Sequence, residues 1–220
     1  MMENNTIRVN ALPTLTWHRL HVNACKTEPY APAAPCVIRT ETETGAAVVS
    51  PLEARSDCSA VETGVGKAID GLFSWGMTIT TGAGASDIVR MEIESENGKD
   101  CAAFVHVQAE KDSHLTLVQI WKADAAHTAL RTVVRAEAGA QVRLIQILTD
   151  SSVECINDTG CVTGEKASFE VIRLYLAKGN VISGVRTDLM GDGSSFSCKS
   201  GYLVNPDKKL DMNVIANHIG

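Results

Sequence analysis

The sequence predicts an all-β fold, a parallel β-helix whose coils are about 27 residues long. Five strand-like segments begin 27 residues apart, with no insertion between one copy and the next. A fixed period of this length is typical of stacked repeats, in which each unit buries its apolar face only against its neighbours. The five segments are residues 88–93, 115–120, 142–147, 169–174 and 196–201.

Each segment has the alternation of a strand, with one phase slip. Apolar and polar residues alternate over three positions and then start again, so we expect a bend or bulge between the third and fourth positions. Half a repeat later comes a second strand-like run, at residues 103–107, 130–134 and 185–189. Two strands and two turns fill 27 residues and leave no room for a crossover helix. Residues from about 60 onward are therefore predicted to be coils of a parallel β-helix.

Turn-forming residues recur between these runs and predict where the coils change direction. The predicted turns are Glu96–Gly98, Glu137–Gly139, Asp158–Gly160, Gly191–Gly193 and Asn205–Asp207.

One elongated domain is predicted, with an N-terminal arm and lead-in strand at residues 1–55 and the β-helix core at 56–220. Pro29, Pro32 and Pro35 exclude one continuous regular element in the arm, which is predicted to be irregular and to lie on the solenoid. Residues 62–70 resemble a phosphate-binding loop, but the required glycine and hydroxyl residue are replaced by Val61 and Ala68. We interpret this segment as a turn leading into a short helix at 67–73.

Composition restricts the class of protein. The 220 residues carry a formal net charge of −6 and no long basic cluster, so neither nucleic acid nor an anionic membrane is an expected partner. No apolar run is long enough to span a membrane, and the first residues lack the features of an export signal. The expected location is cytoplasmic.

The cysteines and histidines do not form a recognisable ligand set. Seven cysteines without a CxxC pair favour reduced thiols in a chain without an export signal. Cys155 and Cys161 are predicted to flank a glycine-containing loop, with no further ligand nearby. Only His18 and His21 are close in sequence. The sequence therefore predicts neither a metal site nor a catalytic site.

The end of the chain lacks a predicted cap. Solenoids normally end in a capping element, because the last coil otherwise presents an open strand edge. No such element is recognisable before Gly220. We therefore expect either that a partner covers this end or that the chain is cut short.

A carbohydrate-active β-helix enzyme is one alternative. Such enzymes need carboxylates stacked on one face of the coils for acid and base catalysis. The column that could supply them contains only one carboxylate, so this reading is weak. The residues of this column are Glu92, Gln119, Gln146, Arg173 and Ser200.

A purely structural β-helix that associates end to end is a further alternative.

Several segments together resemble the SufB/SufD family of iron–sulfur cluster assembly proteins, and SufD-like members most. The resemblance covers roughly residues 12–220 and implies a right-handed parallel β-helix. It also implies a non-catalytic scaffold role in a SUF-type complex. Its segments are Leu12–Trp17, Val22–Asn23, Glu62–Asp70, the 27-residue coils and Gly201–His218.

The resemblance further implies partners and cofactors. A SufB-like subunit or a second copy would pair through the edge of the β-helix, and a SufC-like ATPase would bind a helical C-terminal region that has no counterpart in these residues. No cofactor is expected on this chain alone, whereas the full complex is compatible with an iron–sulfur cluster. Cys198, nearest the expected interface, and His218 are the candidate residues for sulfur or iron. For Cys198 the alternative is a buried position in a column of mainly Leu and Val.

Overall fold

A computed structural model describes residues 6–10, 25–28, 34–52 and 76–219. Within these residues the regular structure is entirely β-strand. The helix predicted at 67–73, the segment resembling a phosphate loop, and His18 and His21 lie outside the described residues.

The described strands follow one another with short connections. They are β1 Ile7–Val9, β2 Cys25–Thr27, β3 Val37–Thr42, β4 Ala47–Pro51, β5 Gly76–Thr81, β6 Ser86–Glu94, β7 Cys101–Ala109, β8 His114–Lys122, β9 His127–Ala136, β10 Gln141–Leu148, β11 Glu154–Thr163, β12 Ser168–Tyr175, β13 Asn180–Leu189, β14 Ser195–Tyr202 and β15 Leu210–His218.

Two sheets form the solenoid, and alternate strands of the chain enter each of them. The six-stranded sheet has the order β14-β12-β10-β8-β6-β3, and the seven-stranded sheet has the order β15-β13-β11-β9-β7-β5-β4. From β5 onward all neighbouring strands are parallel. Val142, for example, lies opposite Leu115 on one side and Phe169 on the other. The predicted β-solenoid with coils of about 27 residues is confirmed.

The core lies between the two sheets, where each coil stacks its inward side chains on those of the next. Leu117, Leu144 and Val171 form one fully buried column of the six-stranded sheet. On the opposite sheet Val107, Val134 and Cys161 form another. Inward-facing side chains of the first coil, such as Ile79 and Val89, are also fully buried, and of the described coils only the last leaves its inward side chains exposed.

The predicted register was wrong by one residue in the first copy. Strand β6 pairs with β8 so that Asp87 lies opposite Leu115, a separation of 28 and not 27 residues. As a result Val89 and Met91 point inward, and Ile88, the first residue of the predicted segment 88–93, is exposed. A one-residue shift moves every side chain of a strand to the other face of the sheet.

The predicted bulge within each repeat was also wrong. In β8 and β10, buried residues alternate strictly with more exposed ones through the whole strand. The fifth position, occupied by Gln119 and Gln146, is therefore buried, while the apolar fourth position faces outward. The polar column tolerates burial because its amides bond to one another and to neighbouring strands.

The predicted turn at Asp158–Gly160 was wrong as well. These residues lie in the middle of β11, and Cys155 and Cys161 are buried residues of the same strand. Asp158 tolerates this position because its carboxylate lies 3.3 Å from Nε of Arg131 on β9. Both side chains are almost fully buried. A buried carboxylate is stable when it pairs with a cation, so aspartate can occupy the interior of a strand although it is more common in turns.

Two antiparallel strands, β3 and β4, cover the first coil. Strand β3 pairs with β6 on one sheet and β4 pairs with β5 on the other, so the connection between them crosses from sheet to sheet. The buried carboxylate of Asp87 holds this connection, accepting hydrogen bonds from the backbone N–H groups of Thr44 at 2.9 Å and Ala47 at 2.8 Å. The N-terminal end of the solenoid is thus capped.

A second antiparallel pair, β1 with β2, lies on the outer face of the seven-stranded sheet. Its Val9 is fully buried in a cluster with Ala102, Ala129, Ile156 and Ile182, one residue from each of four successive coils. The pair therefore crosses the coils along the solenoid axis. These residues of the N-terminal segment thus pack on the solenoid as two short strands.

Candidate functional site: the open end of the last coil

The last coil, made by β14 and β15, continues the interior columns of the solenoid. Phe196 stacks on Phe169 with ring centroids 5.9 Å apart, and Tyr202 lies opposite the buried Tyr175. On the other sheet Met212 and Val214 lie opposite Ser183 and Val185. The side chains of this coil therefore have the orientation of core residues.

The inward-facing side chains of the last coil are nevertheless exposed to solvent like surface residues. Tyr202 is 64% exposed, Val214 is 53% exposed and Met212 is 43% exposed, whereas Tyr175 and Val185 one coil earlier are buried. The neighbouring Leu203 is also largely exposed. A contiguous group of large apolar side chains on a protein surface is typical of an interaction site. We call this surface, formed by the inward-facing residues of β14 and β15, the open end.

A buried polar layer lies directly beneath the open end. Arg173 of β12 is 3% exposed, and its guanidinium donates to neutral acceptors. No carboxylate pairs with it among the described residues, so the cation is solvated by hydroxyls, an amide oxygen and a carbonyl. The acceptors are Gln146 Oε1 at 2.9 Å, Tyr175 Oη at 3.2 Å, Ser183 Oγ at 2.8 Å, Thr159 Oγ1 at 2.6 Å and Gly184 O at 3.2 Å.

The polar layer continues up the column as a chain of amides. Gln146 accepts from Arg173 through Oε1 and donates from Nε2 to Oε1 of Gln119, 2.8 Å away. Nε2 of Gln119 is buried and has no hydrogen-bond partner. Because Arg173 can only donate, it fixes the orientation of Gln146 and through it that of Gln119. Sequence reasoning had treated this column as a surface for catalytic acids.

The column contains no carboxylate on its inner side. Glu92, the acid that the sequence placed there, faces outward and pairs with Arg90 at 2.7 Å and Lys122 at 3.2 Å. The register shift puts Met91 in the inward position instead. The stacked acids that a carbohydrate-active β-helix would need are thus absent from this column of the described coils.

Cys198 and His218 both belong to the open end. Cys198 is half-buried opposite Val171, and His218 is exposed opposite Leu189, at the last position of β15. Neither side chain donates or accepts a hydrogen bond with a described residue. In the part of the chain that the structure describes, no three His, Cys, Asp or Glu side chains come close enough together to hold a metal ion.

The other described thiols are buried, apart from the half-buried Cys25. A hydrogen bond with Cys101, followed by burial, raises the pKa of the Cys36 thiol far above its usual range. Burial likewise raises the pKa of Cys155, which lies near the Asp150 carboxylate. Protonated thiols in an apolar core are poor nucleophiles and poor ligands, so Cys198 is the more accessible candidate.

Sequence reasoning missed the buried polar contacts of the core. Asp150 accepts hydrogen bonds from Nε1 of Trp121 at 2.5 Å and from Thr128 at 2.7 Å. Arg131 pairs with Asp158 and lies over the ring of Phe104. The one available signal was the position of Arg131 and Arg173 within predicted strands, where a charged residue needs a buried partner.

The described residues form a parallel β-solenoid in which β3 and β4 cover the first coil and the inward-facing residues of the last described coil are exposed. No described helix could cross a membrane. The family model described as SUF system FeS cluster assembly, SufBD core domain, matches residues 91–220, which is more than half of the chain. The chain belongs to this family, and its family associates it with iron–sulfur cluster assembly by the SUF system. No curated protein and no solved structure matches the chain.

Proposed function

We propose that this chain is a non-catalytic, SufD-like scaffold subunit of a SUF-type assembly complex. Its open end would pair with a SufB-like subunit or with a second copy. The observation that carries the proposal is the exposure of Tyr202, Met212 and Val214, which have the orientation of core residues. Covering them with the equivalent coil of another solenoid would complete the interior and supply the missing neighbour.

Pairing about a twofold axis fits this surface. Two open ends related in this way would each offer free strand edges, β14 and β15, to the other subunit. Such a contact closes on itself and gives a dimer. A filament would need the opposite end as well, but that end is covered by β3 and β4, and the edge strand β3 carries Arg39 and Glu41. Charged side chains on edge strands discourage further strand pairing.

The iron–sulfur cluster enters this proposal as cargo of the complex. The described residues bring no three potential ligands together. In this proposal the partner supplies the further ligands at the pairing surface. Cys198 is the thiol nearest the pairing surface and is half-buried before pairing. The SufC-like ATPase is proposed as a third component on the basis of family membership alone.

Co-expression tests the pairing directly. The chain would be produced with candidate SufB-like and SufC-like subunits, captured by an affinity tag, and examined by anaerobic absorption spectroscopy. Val214→Asp places a charge on the open end, and Val153→Asp places the same charge at a similarly exposed valine, 62% exposed, away from it. We expect the wild type and Val153→Asp to retain the SufB-like subunit and Val214→Asp to lose it.

Two results would contradict the proposal. Retention of the partner by Val214→Asp at the wild-type level would exclude the open end as the contact. Loss of the partner by both variants would indicate a general effect of the charge. Circular dichroism of the isolated variants would show whether the solenoid itself remains folded.

A further inference from the structure

Apart from its backbone pairing with β13, the last strand of the solenoid has few described attachments to the rest of the molecule. β15 pairs with β13 on one side only, and its inward-facing Met212 and Val214 are about half exposed, so burial contributes little to its stability. Two side-chain hydrogen bonds tie it to the preceding coil: Asn217 Nδ2 to Asp188 Oδ1 at 2.7 Å, and Lys209 N to Asn180 Oδ1 at 3.0 Å. Segments with little buried surface open most readily.

A third attachment comes from the opposite end of the sequence. Asn10 donates from Nδ2 to Oδ1 of Asp211 on β15, at 2.5 Å, and to the carbonyl oxygen of Ser183 on β13, at 3.2 Å. A single amide group therefore bridges the last two strands of the seven-stranded sheet. Asn10 is 5% exposed and has a positive φ of 50°, a conformation that asparagine tolerates better than most residues.

The position of Asn10 is fixed by its neighbours in the N-terminal strand pair β1 and β2. Val9, the preceding residue, is fully buried against Ala102, Ala129, Ile156 and Ile182. On β2 the hydroxyl of Thr27 donates to the carboxylate of Glu154 on β11. Two-stranded pairs are marginal alone, so these contacts with the coils hold the pair in place. The pair spans the coils from β7 to β15.

We propose that the N-terminal strand pair is a clip that holds the last coil in place and so controls whether the open end is formed. When the clip is seated, β15 presents its inward face as part of the last coil. When the clip is released, β15 loses the hydrogen bond from Asn10 to Asp211 and frays. This bond is the only described side-chain hydrogen bond to β15 that comes from outside the coil before it. The link to partner pairing rests on the proposed function; the effect on β15 does not.

Amide hydrogen exchange on the full chain tests the clip. Val9→Asp would unseat the strand pair by burying a charge, and Asn10→Ala would remove both hydrogen bonds. Arg8→Ala is the control, because Arg8 is exposed on the same strand. Losing a hydrogen bond to a carboxylate is expected to raise exchange in Leu210–His218 about tenfold or more, with less than about a twofold change in β8, β10 and β12.

The result that overturns the clip is exchange in β15 that is unchanged by both variants, or that rises equally in all coils. A double variant adds a sharper criterion: Asp211→Ala combined with Asn10→Ala should raise exchange in β15 no more than either change alone. Additive effects would show that the two residues act separately and would contradict the proposal.

The clip and the proposed pairing can be tested separately by combining hydrogen exchange with affinity capture of the SufB-like subunit. If exchange in β15 responds as expected but the wild type captures no partner, the clip stands and the pairing fails. If the wild type captures the partner and β15 exchange is insensitive to Val9→Asp and Asn10→Ala, the pairing stands and the clip is wrong.

Discussion

Nε of Arg173 donates a hydrogen bond to Oε1 of Gln146, 2.9 Å away and one coil earlier in the same column. This contact anchors a buried polar chain in the middle of an otherwise apolar solenoid. The guanidinium receives no compensating carboxylate from the described residues, and its neutral acceptors replace water. Such a cation is stable only while all of its partners stay in position.

Replacing Arg173 by Met should therefore destabilise the protein strongly. The change removes the guanidinium donor from Gln146, Thr159 and Ser183. Gln146 and Ser183 keep a second partner each, Asn157 and Tyr175, and we expect the free energy of unfolding to fall by about 2 kcal/mol or more. Urea denaturation followed by circular dichroism measures this. Arg143→Met is the matched control, since Arg143 is 55% exposed and pairs with Glu170 on the outer face of the same sheet. Its loss should cost less than about 1 kcal/mol, and equal costs would contradict the assigned roles.

The cap of the first coil should respond to pH through Asp87. Burial raises the pKa of this carboxyl, but the backbone N–H donors of Thr44, Ala47 and Ile88 outweigh it and hold the pKa below its usual range. The group therefore stabilises the fold above the unfolded-state pKa of about 4, and this contribution is lost as pH falls through the lower, folded-state pKa.

Asp87→Asn tests this dependence. At pH 7 we expect a loss of about 2 kcal/mol, because the amide can no longer accept all of the backbone donors. The difference in melting temperature between the wild type and Asp87→Asn should narrow as pH falls below about 4. A constant difference across that range would show that the carboxylate charge does not hold the connection between β3 and β4.

The turns between coils stack so closely that one glycine is required. A Cβ on Gly179 would lie 1.9 Å from the carbonyl oxygen of Ser152 in the turn one coil earlier. Gly179→Ala should therefore cost about 2 kcal/mol or more through forced displacement of the backbone. Gly82→Ala is the control, because its Cβ would meet no atom within 4 Å, and its effect should be within about 0.5 kcal/mol. Equal melting temperatures for the two variants would contradict the close stacking.

Thiol reactivity should follow position in the solenoid. Cys198 is half-buried at the open end, whereas Cys36, Cys101, Cys155 and Cys161 are buried. We expect iodoacetamide to label Cys198 before those four in the native chain, and mass spectrometry of the digested protein reads the order. Labelling in urea, where the differences should vanish, is the control. Faster labelling of Cys155 than of Cys198 would contradict the described arrangement.

Much of the architecture follows from the sequence, because the repeat is local. The 27-residue spacing places Leu115, Val142 and Phe169 in one column, and the structure confirms it. The orientation of individual strands was less predictable. Val118 and Ile145 are apolar yet face outward, while Gln119 and Gln146 are polar yet buried. Hydrophobic pattern alone cannot identify a buried polar column, since its stability depends on partners from distant coils.

The candidate site was predictable in position but not in composition. The missing cap predicted either a partner at the last coil or a chain that is cut short, and the exposure of Tyr202 and Val214 does not distinguish the two. The attachment of Asn10 to Asp211 could not have been foreseen, because 201 residues separate them in the chain. Asp158 was assigned to a turn from its residue type, and only its contact with Arg131 explains its place in a strand.

The central claim is that the open end is the contact surface for a second solenoid. Hydrogen exchange of the chain, alone and with the purified SufB-like subunit, tests this most directly. The account predicts that protection increases in β14 and β15 and stays unchanged in β6, β8 and the capping strands β3 and β4. Protection that appears on the outer face of the middle coils, with β14 and β15 unchanged, would contradict it.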